Sequence, residues 1–311
     1  MLTVIGKVFS ILAMVFIGLW LYRSGRLGDQ ARTDLTNLML TVTAPCLALY
    51  TLYEKELTRE TIISTGQVAV CTVCYLIFGT LLAWFFARMA KANPKDRGCF
   101  MVMMVALNNG FMGMPITKEI FGADALYLLA IHIIFMNIYF YSVAILLMTS
   151  GTGRFSVKEA VKSLMSPVMA GLFIGAVMMI AGVQPPAVLD ILIRSLGDVT
   201  IPLSMIVVGL QLGQSNLSSI LKNRQLIICS LGAMVGIPLA TFLIANMMPL
   251  YNEVKIVIIF STVFPSAVIP AVLAEKYGAN GKLMAEGVTL TTILSMVTIP
   301  VGASVLTALY C

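Results

Sequence analysis

Apolar stretches of about 20 residues recur ten times along the chain, and this recurrence most constrains how it can fold. In order, they cover residues 2–22, 35–53, 62–87, 99–121, 125–148, 164–183, 195–214, 225–247, 254–275 and 285–309. A helix of about 20 apolar residues spans the hydrocarbon core of a bilayer. Because a spanning segment must satisfy its own backbone hydrogen bonds, the pattern predicts an all-α integral membrane protein with ten transmembrane helices, numbered here as segments 1 to 10.

The composition agrees with a membrane protein and narrows its partners. Hydrophobic residues make up 59% of the chain and charged residues 11%, whereas soluble domains carry about 25% charged residues. With one His and six Cys, the chain gives no basis for a metal site, a disulfide framework or another cofactor. We expect a lipid bilayer and a small solute as partners, and no nucleic acid.

The Lys and Arg residues lie mostly in alternate loops, which predicts an orientation. One set of loops contains Arg23, Arg26, Arg32, Arg88, Lys91, Lys95, Arg97, Arg154, Lys158, Lys162, Lys222, Arg224, Lys276 and Lys282. Cytoplasmic loops are the ones enriched in these residues. We therefore expect a multi-pass protein of the cell (plasma) membrane with both termini outside and the longest loop, residues 149–163, in the cytoplasm.

Residues 108–115 interrupt segment 4 with the sequence Asn-Asn-Gly-Phe-Met-Gly-Met-Pro. Two amides, two glycines and a proline would disturb a packed transmembrane helix. Irregular backbone at membrane depth is tolerated where it is buried in protein or lines a wet cavity. The alternative is a simple Gly/Pro kink with its amides bonded to a neighbouring helix.

A matching interruption occurs in segment 9, about 156 residues further on. Pro115 and Pro270 each precede a similar ending, Glu-Ile-Phe-Gly-Ala-Asp at 119–124 and Glu-Lys-Tyr-Gly-Ala-Asn at 275–280. Pro45 in segment 2 likewise falls opposite Pro202 in segment 7. The chain thus reads as one membrane domain, 1–311, with repeat halves 1–148 and 164–311. Because each half has five segments, the halves are inverted (5+5), and the broken helices 4 and 9 are expected to cross near the bilayer centre.

The crossing is the predicted binding site. Half-helices that begin at the two breaks would direct unsatisfied N–H groups and the positive ends of their dipoles to one point. Such a point favours an anion, most naturally a carboxylate. The candidate substrate-binding residues at the two breaks are Asn108, Asn109, Gly110, Gly113, Pro115, Pro265, Ser266 and Pro270.

Segment 5 adds two candidates, His132 and Asn137. No Asp or Glu lies deep in any predicted span, so His132 is the ionisable side chain at membrane depth that could couple transport to protons. The alternative for His132 is a structural role, as a neutral ring bonded to a nearby carbonyl.

The two interruptions also resemble a known family. The pattern Asn-x-x-x-Met-Gly-x-Pro is matched by Asn108, Met112, Gly113 and Pro115, and the segment 9 pattern by Pro265 through Pro270, with Ala274 and Tyr277 following. These residues are similar to those of the auxin efflux carrier family, which includes plant PIN carriers and bacterial malate and malonate permeases. The resemblance implies elevator-type transport, with a carboxylate held at the crossing. It also implies a scaffold of segments 1, 2, 6 and 7 that forms a homodimer.

The expected function is therefore secondary transport of a small organic anion, such as malate, malonate or an auxin-like acid, and not catalysis. Unlike many plant carriers, this chain has only a short midpoint loop. One alternative is a sodium-coupled organic anion symporter of the bile-acid transporter type, which shares the ten-helix inverted architecture. A second alternative is a non-transporting membrane sensor that retains the pocket.

Overall fold

The computed structural model describes residues 2–149, 166–214 and 220–311, and within these ranges every regular element is a helix. The predicted cytoplasmic loop 149–163, apart from its first residue, lies outside the described residues. Thirteen helices are labelled here in chain order. They are α1 (Leu2–Arg23), α2 (Asp29–Tyr53), α3 (Arg59–Met89), α4 (Arg97–Val105), α5 (Met114–Phe140), α6 (Val143–Met148), α7 (Pro167–Ala181), α8 (Ala187–Asp198), α9 (Thr200–Gln214), α10 (Arg224–Met247), α11 (Asn252–Ser261), α12 (Val268–Lys276) and α13 (Gly281–Tyr310).

Six helical stretches in the described part of the chain are long and apolar enough to cross a membrane. They are Asp29–Tyr53, Arg59–Met89, Asn109–Met148, Ala187–Gln214, Arg224–Met247 and Gly281–Tyr310. The protein is thus a multi-pass membrane protein. Segments 1 and 6 correspond to shorter apolar helices, Phe9–Arg23 and Pro167–Ala181, and segments 4 and 9 are interrupted.

Gly122 separates segment 4 from segment 5 inside α5. Its φ of 86° and ψ of −169° break the helix at the position where the two predicted segments meet. A positive φ of this size is costly for residues with a Cβ, which explains why glycine stands at the turn. The part of α5 before Gly122 and the part after it are therefore two helices that run in different directions.

One wide turn with π-type hydrogen bonding occurs within α2, within α10 and directly before α5. These turns are Met39–Thr43, Asn109–Gly113 and Gly232–Gly236, and each is followed two residues after its end by a proline, namely Pro45, Pro115 and Pro238. Proline cannot donate a hydrogen bond, and its ring collides with the carbonyl four residues back. An extra residue in the preceding turn displaces that carbonyl, so the helix continues past the proline.

The helices form two groups by packing. The flanking group is α1, α2, α7, α8 and α9, whose most extensive contacts are between α1 and α9 and between α2 and α7. The crossing group is α3 to α6 and α10 to α13. Glycines allow the closest approaches inside each group: a Cβ on Gly18 would collide with the carbonyl of Ile206, and a Cβ on Gly98 with that of Leu147.

Candidate functional site

The two helix breaks run antiparallel beside each other. After α4 ends at Val105, the N–H of Asn108 donates to the carbonyl of Pro265 at 2.7 Å, and the N–H of Ala267 donates to the carbonyl of Ala106 at 2.7 Å. Leu107 and Ser266 therefore pair as an isolated β-bridge. Each break supplies hydrogen bonds that the other needs, which is how irregular backbone can remain inside an apolar bundle.

Ser266 fastens this bridge to two further helices. Its hydroxyl donates to the carbonyl of Met103 in α4 at 2.5 Å, and its N–H donates to the hydroxyl of Thr291 in α13 at 3.1 Å. Thr291 in turn donates to the carbonyl of Gly287 at 2.8 Å. The second break is thereby held against α4 and α13.

Asn108 begins the helical turn that follows the first break. Its side-chain oxygen accepts from the N–H of Phe111 at 3.3 Å, and its carbonyl accepts from Met112 and Gly113 at 3.2 and 3.1 Å. An Asn at this position satisfies N–H groups that the helix itself cannot. Asn108 is therefore a capping residue, and the same side chain borders the cavity described next.

A cavity of about 270 Å³ lies beside the crossing. Both breaks contribute to its wall, together with α2, the second part of α5, the start of α7 and the start of α9. The lining residues are Met39, Leu40, Ala44, Leu107, Asn108, Asn109, Gly110, Phe111, Ile133, Met136, Asn137, Phe140, Tyr141, Ser166, Pro167, Val168, Thr200, Ala267, Val268 and Ile269. None of these residues is charged, so the polar groups of the wall are amides, hydroxyls and backbone.

The backbone supplies the positive end of this cavity. Val268 and Ile269 are the first two residues of α12, and their N–H groups have no acceptor within that helix. Both residues line the cavity, as does Gly110, the second residue of the π turn. Free N–H groups at a helix start attract negative charge without any ionised side chain.

Asn109 is the most unusual polar residue of the wall. It is 1% exposed, and neither its side-chain nitrogen nor its oxygen forms a hydrogen bond with any described residue. A buried amide left without partners costs free energy, and such groups are rare in native proteins unless something else binds them. Asn109 is one of the residues that line the cavity, although its amide atoms are themselves covered by protein.

The structure sorts the residues that the sequence put forward. Four of them, Asn108, Asn109, Gly110 and Asn137, line the cavity. The others do not, namely Gly113, Pro115, Pro265, Ser266, Pro270 and His132. Several of the second set shape the crossing instead: Gly113 makes room for the Asn109 side chain, and the carbonyl of Pro265 accepts from Asn108.

His132 is not among the residues that line the cavity; it is fully buried on α5, where its ring contacts α3. Its Nδ1 is 2.9 Å from the hydroxyl of Thr72, which donates its single proton to the carbonyl of Val68 at 2.7 Å. With that proton engaged, the hydroxyl of Thr72 accepts from Nδ1–H, and Nε2 has no hydrogen-bond partner among the described residues. This arrangement is similar to the structural alternative considered above, except that the ring is bonded to the Thr72 hydroxyl and not to a carbonyl.

Sequence reasoning missed the contribution of the flanking group to the wall. Met39, Leu40 and Ala44 of α2 and Thr200 at the start of α9 all line the cavity. The available signal was the pair of matched prolines, since Pro45 directly follows Ala44 and Pro202 lies two residues after Thr200. The sequence placed those prolines opposite each other in the repeat but did not assign them to the site.

A cavity with free helix N–H groups, set beside two paired helix breaks in a multi-pass bundle, is typical of a membrane transport protein. The family model described as Membrane transport protein matches residues 3–302. The chain therefore belongs to this family, the auxin efflux carrier family that its motifs resemble.

Two archaeal relatives match the chain over nearly its whole length. An uncharacterized transporter of Methanothermobacter thermautotrophicus is 26% identical over 304 residues, which is 96% of this chain and 97% of the relative. An uncharacterized transporter of Methanocaldococcus jannaschii is 23% identical over 301 residues, which is 94% of this chain and 95% of the relative.

Proposed function

We propose that the protein is a secondary transporter of a small organic anion that carries one carboxylate on an apolar body. The observation that carries this proposal is the uncharged cavity wall, which combines the free N–H groups of Val268 and Ile269 and the unpartnered amide of Asn109 with mostly apolar side chains. The helix starts and the amide would hold the carboxylate. Met136, Phe140 and the other apolar residues would enclose the rest of the solute.

The absence of charge on the described wall favours a monocarboxylate over malate or malonate. A second carboxylate inside the cavity would lose its hydration without meeting a Lys or Arg. An unpaired charge in such a site costs several kcal/mol. Of the anions considered above, an auxin-like acid therefore suits the cavity better than a dicarboxylate does.

The proposed architecture is the ten-helix inverted 5+5 bundle, with an elevator-type mechanism. In this scheme the flanking group is the scaffold, through which two copies would form a homodimer in the cell membrane, and the crossing group carries the anion. The packing supports two groups that move as separate units, because wherever a described glycine lets two parts of the chain come close, both parts belong to the same group. The lysine and arginine distribution supports termini outside and a cytoplasmic midpoint loop.

Uptake into liposomes tests the function. Purified protein would be assayed with labelled indole-3-acetate, malate and malonate, with and without sodium and with and without a proton gradient. We expect uptake of the monocarboxylate, inhibition by other apolar monocarboxylates and little uptake of the dicarboxylates. Sodium-dependent uptake would instead favour the symporter alternative. If no organic acid enters, or if malate enters faster than indole-3-acetate, the proposal is wrong.

A further inference from the structure

A lysine of the crossing group is bound by two residues of the flanking group. Lys118, in the first part of α5, donates to a carboxylate oxygen of Asp198 at the end of α8, at 2.6 Å. It also donates to the hydroxyl of Tyr50 in α2, and that hydroxyl donates to Asp198 at 2.8 Å. The three side chains form one closed polar cluster across the boundary between the groups.

Two more lysines cross the same boundary. Lys7 of α1 donates to the carbonyl of Glu119 in α5 at 2.5 Å. Lys55 follows α2 and forms an ion pair with Asp124, just after the Gly122 turn, at 2.6 Å. All three contacts thus join the flanking group to the short part of the chain between Lys118 and Asp124.

These contacts lie at the end of the bundle away from the midpoint loop. The cavity is lined by Ala44 of α2 and by Ser166, which is the first described residue after that loop. From Ala44 to Tyr50 the helix rises by about 9 Å. The cavity therefore lies nearer the midpoint loop, and the three lysines lie on its far side.

Elsewhere the boundary includes an apolar seam. Met112 and Ile116 of the crossing group face Met205 and Val208 of α9 around a gap of about 20 Å³. Methionine and aliphatic side chains adapt their packing without breaking hydrogen bonds. Since no described glycine joins the two groups closely, this seam presents little that would resist sliding.

We propose that Lys7, Lys55 and Lys118 form a clasp that holds the two groups in the conformation with the cavity toward the midpoint loop. The clasp must open before the cavity can be exposed at the other face. This inference rests on the proposed function, in which the crossing group moves against the flanking group. Partly exposed ion pairs are individually weak, so the clasp biases the equilibrium and remains reversible.

The chain contains its own control. Asp190, earlier on α8, accepts from the hydroxyl of Tyr53 at 2.6 Å and from Nε of Arg194 at 2.9 Å. This cluster has the same Tyr–Asp–cation composition as the Asp198 cluster, but all its members belong to the flanking group. Arg194 also lies over the ring of Tyr50 at 5.7 Å, but both bonds of Asp190 named here stay within the flanking group. Asp190→Asn therefore removes a comparable charge at the same face without removing a bond between the groups.

The test is a distance measurement between the groups. Val188 of α8 and Tyr251, just before α11, are both exposed and would carry the spin labels. Pulsed electron paramagnetic resonance would give the distance distribution between the two labels in liposomes without substrate. The variants are Lys118→Met, Asp198→Asn, the charge exchange Lys118→Asp with Asp198→Lys, and Asp190→Asn. The cysteines that are not fully buried would first be replaced by alanine, namely Cys46, Cys74 and Cys311.

We expect Lys118→Met and Asp198→Asn each to raise the fraction of a second distance about two- to fivefold, the range that a partly exposed pair can bias. The charge exchange should return the distribution toward the wild type, and Asp190→Asn should leave it unchanged. If Asp198→Asn does not fold, Lys118→Met carries the test. The clasp is refuted if these variants keep the wild-type distribution or if Asp190→Asn shifts it equally.

The outcome is separable from that of the proposed function. A shifted distribution in a protein that takes up no organic acid would support the clasp and refute the substrate proposal. Uptake of a monocarboxylate with an unshifted distribution would refute the clasp and support the transport function.

Discussion

The hydroxyl of Ser266 donates to the carbonyl of Met103 at 2.5 Å, so the second helix break is tied to the helix that leads into the first. Both groups are buried, and the Met103 carbonyl lies near the end of α4, where helical acceptors lack intrahelical donors. The candidate binding site thus depends on a side chain that does not itself line the cavity. A polar residue at a break in a transmembrane helix can thus stabilise a binding site without contacting the cavity.

Ser266→Ala should lower the free energy of unfolding more than the same substitution at a matched serine does. It leaves the Met103 carbonyl buried without this partner, which costs about 1–3 kcal/mol of unfolding free energy. Ser295→Ala is the control, because the hydroxyl of Ser295 donates to the carbonyl of Thr292 within its own helix at 2.7 Å. Chemical denaturation in detergent measures both variants, and equal losses of stability would contradict the supporting role of Ser266.

Asn109→Leu should separate transport from stability. Removing an amide with no protein partner relieves a cost of about 1–3 kcal/mol, so the unfolding free energy should stay the same or rise. Uptake should fall about tenfold or more, because a hydrogen bond to a charged group is worth about 1.5–3 kcal/mol. Asn246→Leu, at an exposed position on α10, is the control for uptake. A variant that loses stability and keeps uptake would argue that Asn109 has a structural role.

Val268→Pro tests the backbone N–H groups directly. Proline is accepted in the first turn of a helix, and Ala267, with φ −75° and ψ 147°, already has the conformation that precedes a proline. The variant therefore deletes one N–H with little strain, and the KM for uptake should rise about tenfold. Val268→Ala keeps the N–H and loses the same side chain, so its KM should change much less. Similar KM values for the two variants would show that this N–H does not bind the anion.

The sequence located the two breaks but not the whole wall. Asn108 and Pro265 stand out because amides and prolines conflict with an apolar helix, and the structure joins these residues by a hydrogen bond. Met39 and Ala44 carry no such conflict, since an apolar residue in an apolar span is equally suited to lipid, core or cavity. Only the three-dimensional packing of α2 against the crossing assigns them to the site.

Gly18→Ala should disrupt the flanking group. Its Cβ would collide with the carbonyl of Ile206 in the backbone of α9, and overpacking of this kind costs about 1–3 kcal/mol or more. Gly66→Ala in α3 is the control, because a Cβ there meets nothing within 4 Å and alanine is the better helix former. Thermal unfolding in detergent should show a lower midpoint for Gly18→Ala and an equal or higher one for Gly66→Ala. Equal midpoints for both variants would mean that α1 and α9 can move apart at no cost.

His132→Gln should leave the pH dependence of uptake unchanged. The ring does not line the cavity, and its Nδ1 is hydrogen-bonded to the hydroxyl of Thr72 at 2.9 Å. Glutamine can still donate to Thr72, whereas His132→Leu cannot and should lose about 1 kcal/mol of unfolding free energy. Uptake of indole-3-acetate would be followed from pH 5 to pH 8 in both variants. If the wild type follows a proton gradient and His132→Gln abolishes that response at an unchanged KM, His132 carries the coupled proton and its structural assignment is wrong.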